Sequence, residues 1–436
     1  MAYTISLFRD LIASTGNSWA ALKAYLTSEA GGRLVITESA CGRYAIIHYD
    51  KALTCMDAAH VRWFRSVVWD TLVNLPLSVA PPKASPPLAA QLSGPAALEA
   101  SAATQPHLSG PAALEAAVPA SEAPQMQYQD YLDGVNINIF RTKEDTQFKI
   151  ATRTSFGAQG NFYSKRSFAD LFADCMAASP PEHIKSALEF NDCCPADHEQ
   201  SRFVSVLMQH PEHRVVEPVT EPRLWLLQLG IVHKSGIVVI DESACTIPSL
   251  PAPQPDETQV AWFERIAATK DWRWRGAVLK DGAGNRWRMK SMAYQMIRHL
   301  RGNTPRSAER FFGLRSQGLI PTYLAYYPEE TDEFIKYEAK VRAMTAHLAE
   351  YYCHIYRLKT MELGQSVPSF WHTHLKALQR TYMSTLKARG EKVTKAVVAA
   401  YINTLPVPRL MFLLRVGADQ VAEAWSAAAA AEPDTL

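Results

Sequence analysis

From Val135 to Phe140 the chain reads VNINIF, apolar residues alternating with asparagine, and FKIAT follows from Phe148. Alternate side chains of a strand point to opposite faces. The pair therefore predicts a hairpin with one face buried and the asparagine face toward solvent. Further strands are predicted at Arg43–Tyr49, Ser66–Trp69, Leu77–Ala80, Phe203–Met208, Leu224–Leu229, Ile237–Ile240 and Gly276–Lys280. Helical spacing lies between them at Ser167–Met176 and Gln259–Ala268. This is an α+β domain dominated by antiparallel sheet. Past about Ser307 the pattern changes: Thr331–Lys359, Phe370–Ala388 and Lys395–Ile402 show helical periodicity, predicting an all-α C-terminal domain. The expected boundaries are 1–306, 307–424 and a frayed tail from 425 to 436.

One stretch stands apart. Pro81 to Pro124 is almost wholly Ala, Pro, Ser, Gly, Leu and Glu, and LSGPAALEA begins at both Leu92 and Leu108. It lacks the aromatic and β-branched residues needed to offset its ordering entropy. Two copies are too few for a solenoid. We read 81–124 as a disordered insertion within the first domain, since lengthening a surface loop adds little closure entropy.

The 436 residues are 47% hydrophobic and 20% charged, which excludes disorder throughout. Lys plus Arg (45) against Asp plus Glu (43) leaves +2, so attraction to nucleic acid must come from local clustering. No apolar run approaches a membrane span, and MAYTISLFRD is no signal peptide. The seven cysteines are odd in number, irregularly spaced and without a C-x-x-C. That pattern predicts free thiols in a reducing, intracellular compartment.

Charge clusters between Asp271 and Ile320. Eleven basic residues (Arg273, Arg275, Lys280, Arg286, Arg288, Lys290, Arg298, Arg301, Arg306, Arg310 and Arg315) face three acids, a local excess of eight. Trp272, Trp274, Trp287 and Phe311 are interleaved with them. Forked arginine donors and aromatic planes suit RNA, with Arg273, Arg286, Arg298 and Arg301 as the expected nucleic-acid contacts. The plain alternative is a solvated charged surface with tryptophans in the core.

A series of short motifs runs through the first domain. FRSVVWD starts at Phe64, SVAPPKA at Ser78, YLDGVNINIF at Tyr131 and ATRTSFGA at Ala151. SVLMQHPEHRVVEP follows from Ser205, LWLLQL from Leu224, WRGAVLKD from Trp274 and RWRMKS from Arg286. In this order they resemble the covalent nucleotidyltransferase superfamily of DNA ligases, RNA ligases and capping enzymes. The resemblance is nearest to phage-type RNA ligase 1 and to ligase-like proteins of giant DNA viruses. It implies ATP with Mg²⁺, an RNA partner, and Arg65, Lys83, Arg153, Arg275, Lys280, Arg288 and Lys290 against nucleotide phosphate. A viral origin, implied by the resemblance alone, would place the protein in host cytoplasm or virion.

The departures from the pattern fall on the reacting groups. Such enzymes use a lysine whose neutral amine attacks the α-phosphate. Its motif position here is Tyr131, with Asp133 and Gly134 retained, and the E-G position reads Arg275-Gly276. Lys83, Lys143 and Lys149 are displaced along the chain. We therefore expect a non-catalytic, RNA-ligase-like protein that binds nucleotide or nucleic acid through a basic cleft. A ligase with an unusual nucleophile and a structural or virion protein on the same scaffold are the alternatives. Asp133-Gly134 reads equally as a turn entering a strand, and Arg153 as an exposed edge arginine. His372 and His374, two apart on a helix, face about 200° apart and do not share an ion, so no protein metal site is expected.

Overall fold

The computed structural model describes residues 1–55, 59–85, 126–178, 184, 186, 198–364 and 367–416. Both LSGPAALEA copies, Cys193, Cys194 and the tail lie outside the described residues. The chain divides into two compact units, one from Met1 to His299 and the other starting at Leu300.

The first unit holds three antiparallel sheets. Strands β1 (Ala2–Ile5), β7 (Val135–Thr142), β8 (Lys149–Ala151), β9 (Glu199–Gln209), β10 (Arg223–His233) and β11 (Val238–Asp241) form the largest, in the order β1-β11-β10-β9-β7-β8. The second is β2 (Val35–Glu38), β3 (Tyr44–His48), β4 (Val67–Asp70) and β5 (Leu75–Val79), hydrogen-bonded in that sequence. The third is β6 (Gln127–Asp130), β12 (Gly276–Lys280) and β13 (Arg286–Lys290), with β12 in the middle. Helices α1 (Leu7–Ser14) and α2 (Trp19–Thr27) share a core with the four-stranded sheet. Helix α3 (Phe168–Ala178) packs Leu171, Phe172 and Cys175 on Ile137, Ile139, Val204 and Val206. Helix α4 (Gln259–Ala268) buries Trp262 and Ile266 against Ala277, Leu279 and Met289. Ser18 caps α2 and Thr258 caps α4, each accepting from the amide three residues on. Such a cap contributes about 1 kcal/mol.

Strand β7 departs from the expectation of a wetted asparagine face. Asn138 is 0% exposed, and its Oδ1 accepts from Ser205 Oγ at 2.9 Å. Gln228 Nε2 donates to the Val79 carbonyl at 2.7 Å, and Ser201 Oγ to that of Leu77 at 2.8 Å. A polar layer thus joins β5 to the large sheet, and Asn138 is held in it through Oδ1, while its Nδ2 is buried without a hydrogen-bond partner. A second correction concerns Pro81–Ser85, which composition assigned to the insertion. Ser85 donates to the Arg286 carbonyl at 2.9 Å and accepts from the Arg288 amide at 3.0 Å. Lys83 N donates to Arg62 O at 3.1 Å. The segment is therefore built onto the β13 edge.

Helix α5 (Met292–Arg301) carries the chain into the second unit, which is helical. It comprises α6 (Ser307–Ser316), α7 (Ile320–Tyr326), α8 (Thr331–Tyr352), α9 (Ser369–Thr381), α10 (Lys395–Asn403) and a last helix over 407–416. Where one long helix is expected to reach Lys359, α8 widens into a π-helical turn at Cys353–Leu358, closed by Lys359 at φ 55°. Its core is aromatic: Tyr323 stacks on Phe334 with ring centroids 5.4 Å apart, and Phe311 meets Phe334 edge-on at 5.3 Å. No helix among the described residues is long and apolar enough to cross a membrane.

Candidate functional site

Tyr131, Leu132, Asp133 and Gly134 make the crossover from β6 to β7, and so from the small sheet to the large one. The Tyr131 amide donates to the Gly276 carbonyl at 2.9 Å, which places Tyr131 beside the Arg275-Gly276 step. Both motif glycines answer to crowding. At Gly276 (φ +136°) a Cβ would stand 2.0 Å from the Met289 carbonyl oxygen; at Gly134 (φ +149°), 2.5 Å from that of Met208. Only glycine fits such φ values and approaches without strain.

Asp133 is 5% exposed and fully engaged. Its Oδ2 accepts from the Val216 amide at 3.2 Å, Tyr294 donates its hydroxyl to Oδ1, and Arg275 Nη1 stands 3.4 Å from Oδ1. Gln209 Nε2 donates to its carbonyl at 2.9 Å. Asp133 holds the crossover in place, and its lone pairs face protein.

Arg275 links this hub to Tyr131. Its Nη1 donates to the Leu132 carbonyl at 2.8 Å and its Nη2 to the Tyr131 hydroxyl at 2.9 Å. The guanidinium carbon lies 3.7 Å from the ring centroid. Arg288 hydrogen-bonds the same phenol and Arg65 adds its charge. Burial alone would raise the Tyr131 pKa, but Arg275, Arg288 and Arg65 together outweigh it and hold the phenol below its ordinary value.

Tyr49 organises the rest. Its ring carries the Arg153 guanidinium at 4.4 Å and the Lys83 ammonium at 5.1 Å, and its carbonyl accepts from Arg153 Nη2. Arg153 Nε is buried without a hydrogen-bond partner. Burial holds Lys83 below the usual lysine range, with Arg288, Lys51 and Arg153 adding to the effect. Among the described residues, Arg65, Lys83, Arg153 and Arg288 pair with no carboxylate. They surround two tyrosines, Tyr49 and Tyr131. Alternation on β13 puts Arg286, Arg288 and Lys290 on the face opposite Trp287 and Met289, which belong to the core.

Other expected site residues are engaged elsewhere. Lys280 is 1% exposed, its ammonium 2.5 Å from Glu242 Oε2. The expected phosphate contact at Lys280 is thus replaced by an internal ion pair. Arg286 Nη1 approaches the same Glu242 at 3.7 Å, and Lys290 Nζ reaches Gln295 Oε1 at 3.4 Å. Arg273 stands 3.7 Å from Asp271. In the second unit Arg301, expected as a nucleic-acid contact, is buried: its Nη1 donates to Tyr323 and lies 3.2 Å from Glu330, which also takes Arg310 at 2.8 Å. Arg315 pairs with Glu338 at 3.0 Å. Seven of the eleven basic residues between Asp271 and Ile320 thus pair with carboxylates. Most of those acids (Asp133, Glu242, Glu330, Glu338) lie outside the window, so the local count of charge overstated the exposed field. Arg298 is half-buried near Tyr294, and its charge lowers that phenol's pKa against the larger effect of burial.

Sequence reasoning missed Tyr49, Glu242 and Glu217. Tyr49 ends the apolar run RYAIIHY, and only that position marked it. The Glu217 carboxyl is pushed up by burial first, then by Asp133, Asp130 and Asp271. Even so, no three His, Cys, Asp or Glu side chains among the described residues group to hold a metal ion. The side chains gathered around Tyr49 and Tyr131 carry the charge that an anion such as a phosphate would meet.

No protein-family model matches the chain, and no curated protein matches it. Among solved structures it is similar to a mutant of Naegleria gruberi RNA ligase with ATP and Mn, at 12% identity and a TM-score of 0.26, over 40% of this chain and 51% of that one. The chain thus spans about half the length of that ligase. It is also similar to an archaeal ATP-dependent RNA ligase in two forms. Form 1 gives 12% identity and a TM-score of 0.37 over 76% of this chain and 78% of that one. Form 2 gives 11% and 0.37 over 86% and 98%. Likeness at this level assigns no role to any residue.

Proposed function

We propose that this protein binds the phosphates of a nucleotide, or of a phosphorylated nucleic-acid end, in a ligase-like pocket. The usual nucleophile position, Tyr131, then takes no part in lysine adenylylation. One observation carries this reading: Arg65, Lys83, Arg153 and Arg288 gather around Tyr49 and Tyr131 without a carboxylate among the described residues. Uncompensated cations at a half-buried site are costly unless an anion completes them. Guanidinium forks match phosphate oxygens in geometry as well as charge. The motif series argues for the same ligand from the sequence side. A compact cluster of four cations suits a nucleotide better than an extended RNA face.

A scaffold without a ligand is the second reading, favoured by the neutralised basic stretch from Arg273 to Arg315. Titration calorimetry with ATP, ADP and AMP, with and without Mg²⁺, separates the two. Binding that strengthens with phosphate number supports the pocket. No heat with any of them, from protein that melts cooperatively, favours the scaffold.

A further inference from the structure

We infer that the outer face of α9, with the turn that follows it, is a docking surface for the phosphate backbone of double-helical RNA. The surface belongs to the second unit, lies outside the motif series, and does not rest on the nucleotide reading of the first unit.

The described residues from Val367 to Val416 carry eight Lys and Arg against a single acid, Glu391, an excess of seven. Six of those cations, Lys376, Arg380, Lys387, Arg389, Lys392 and Lys395, are exposed, and among the described residues none of the six pairs with a carboxylate. The stretch from Asp271 to Ile320 is the reverse case, a similar excess of which most is neutralised by acids from elsewhere. Helix α8 shows the ordinary solvated pattern, four acids with three bases, and Glu338 on it takes Arg342 at 3.5 Å and Arg315 at 3.0 Å. A face of one sign repels itself, and a polyanion relieves that repulsion by displacing the counterions around both partners.

The helix sets these charges in a line. From Ser369 α9 runs on through a π-helical turn at Tyr382–Leu386 and a 3-10 turn at Lys387–Arg389, and stops at Gly390 with φ 67°. Trp371, His374, Leu375, Leu378 and Leu386 are its buried side, while Thr373, Lys376, Arg380, Ser384 and Lys387 are exposed. Lys376 and Arg380 are neighbours one turn apart. Lys387 follows roughly 15 Å along the axis from Lys376.

The kind of polyanion follows from what the face lacks. A helix that lies on a membrane needs an apolar side to insert, and α9 has given its own to the core. A protein partner needs a cluster of apolar anchors, whereas Met383, 53% exposed, is a single side chain. A single strand is held in a groove lined with stacking planes, and the outer side of a helix is convex. A duplex backbone asks for cations along a rigid line with hydrogen-bonding groups between them. Thr373 and Ser384 supply hydroxyls among the cations, suited to the 2′-hydroxyls that RNA displays in its wide, shallow minor groove.

The test is fluorescence anisotropy with the full chain and a labelled RNA duplex of about 20 base pairs, made with 5′-hydroxyl ends and titrated at KCl between about 50 and 200 mM. The variant K376Q/R380Q/K387Q should bind at least about tenfold more weakly at the lower salt, with a salt slope shallower by about three. Its Tm and its ATP calorimetry should match wild type, because the three side chains are exposed on the second unit. Removing two exposed lysines that sit among acids on α8, K336Q/K340Q, should change affinity less than about twofold. A DNA duplex of the same sequence should bind more weakly than the RNA. Equal losses in the two variants, DNA bound as tightly as RNA, or binding only to phosphatidylserine vesicles or to an acidic peptide overturns the inference. Failure of wild type to bind ATP would sink the pocket of the first unit while duplex binding lost in the triple variant still upheld this face.

Discussion

The Arg275 guanidinium carbon lies 3.7 Å from the centre of the Tyr131 ring while its Nη2 donates to the Tyr131 hydroxyl at 2.9 Å. The same group stands 3.4 Å from the buried Asp133. One side chain thus faces both the Asp133 carboxyl and the Tyr131 phenol, and it favours the ionised form of that phenol.

That arrangement predicts a tyrosine that titrates early. The absorbance difference near 295 nm between wild type and Tyr131→Phe should show one phenol ionising below the ordinary tyrosine value, because the arginines outweigh burial. Arg275→Met should move that transition upward. It should also destabilise the first unit by about 3 kcal/mol, since Asp133 is left buried with its cation removed. Retention of full stability would mean that Asp133 is satisfied by Tyr294 and Val216 alone.

Nucleotide binding should divide the basic residues sharply. Arg288→Glu is expected to weaken ATP binding by at least about tenfold, ~1.4 kcal/mol, and to flatten its dependence on salt. Arg273→Glu, at a residue already beside Asp271, should change affinity less than about twofold. Equal losses in the two variants would point to a diffuse electrostatic face instead of a pocket.

Glu217 should be a stability liability at neutral pH. Its folded carboxyl is raised, by burial first and by Asp133, Asp130 and Asp271 next. Protonated, it costs nothing; as pH rises through the raised value the folded state must ionise it against those neighbours, and stability is lost. Glu217→Gln should therefore raise Tm at pH 7 by about 2 °C. The gap should close below the ordinary carboxylate range. A lower Tm for the variant at pH 7 would show that the ionised form is held by a favourable contact.

His374 sets an acid limit on the second unit. Arg409 Nε donates to its Nε2 at 3.0 Å, so the ring proton must sit on Nδ1, which donates to the Tyr401 hydroxyl at 2.8 Å. Burial, and then Arg409, lower its pKa to about 4, and it is 2% exposed. Below pH ~6.5 the unfolded chain takes a proton that the folded ring refuses. Stability should fall between there and about pH 4, by roughly 3 kcal/mol in total. His374→Gln should remove that slope in urea midpoints measured across the window. A slope unchanged in the variant would assign the acid sensitivity to other groups.

Regular periodicity was the most legible part of the chain. Gly276–Lys280 and Gln259–Ala268 match β12 and α4 residue for residue, and Ala277 and Leu279 of the strand share one apolar cluster with Trp262 and Ile266 of the helix. Asn138 misled because polarity stood in for exposure, and only the facing strand reveals its partner Ser205. The arginine cluster misled for a related reason. A window of sequence shows cations, while Asp133, Glu242, Glu330 and Glu338 arrive from outside it. At the site, the family resemblance implied Arg65, Lys83, Arg153 and Arg288 along with Arg275, Lys280 and Lys290, of which Lys280 is turned to Glu242 and Arg275 to Asp133; Tyr49, on which Lys83 and Arg153 lie, belongs to no motif.

The contact between positions 131 and 275 also constrains which substitutions this chain can take. Tyr131→Lys alone would set an ammonium among Arg275, Arg288 and Arg65. Arg275→Glu alone would set a carboxylate beside Asp133, in a region where Asp130 and Glu217 already crowd. Either step on its own gives a less stable protein. Positions 131 and 275 therefore behave as one unit, and a substitution at one is tolerated only with a matching substitution at the other.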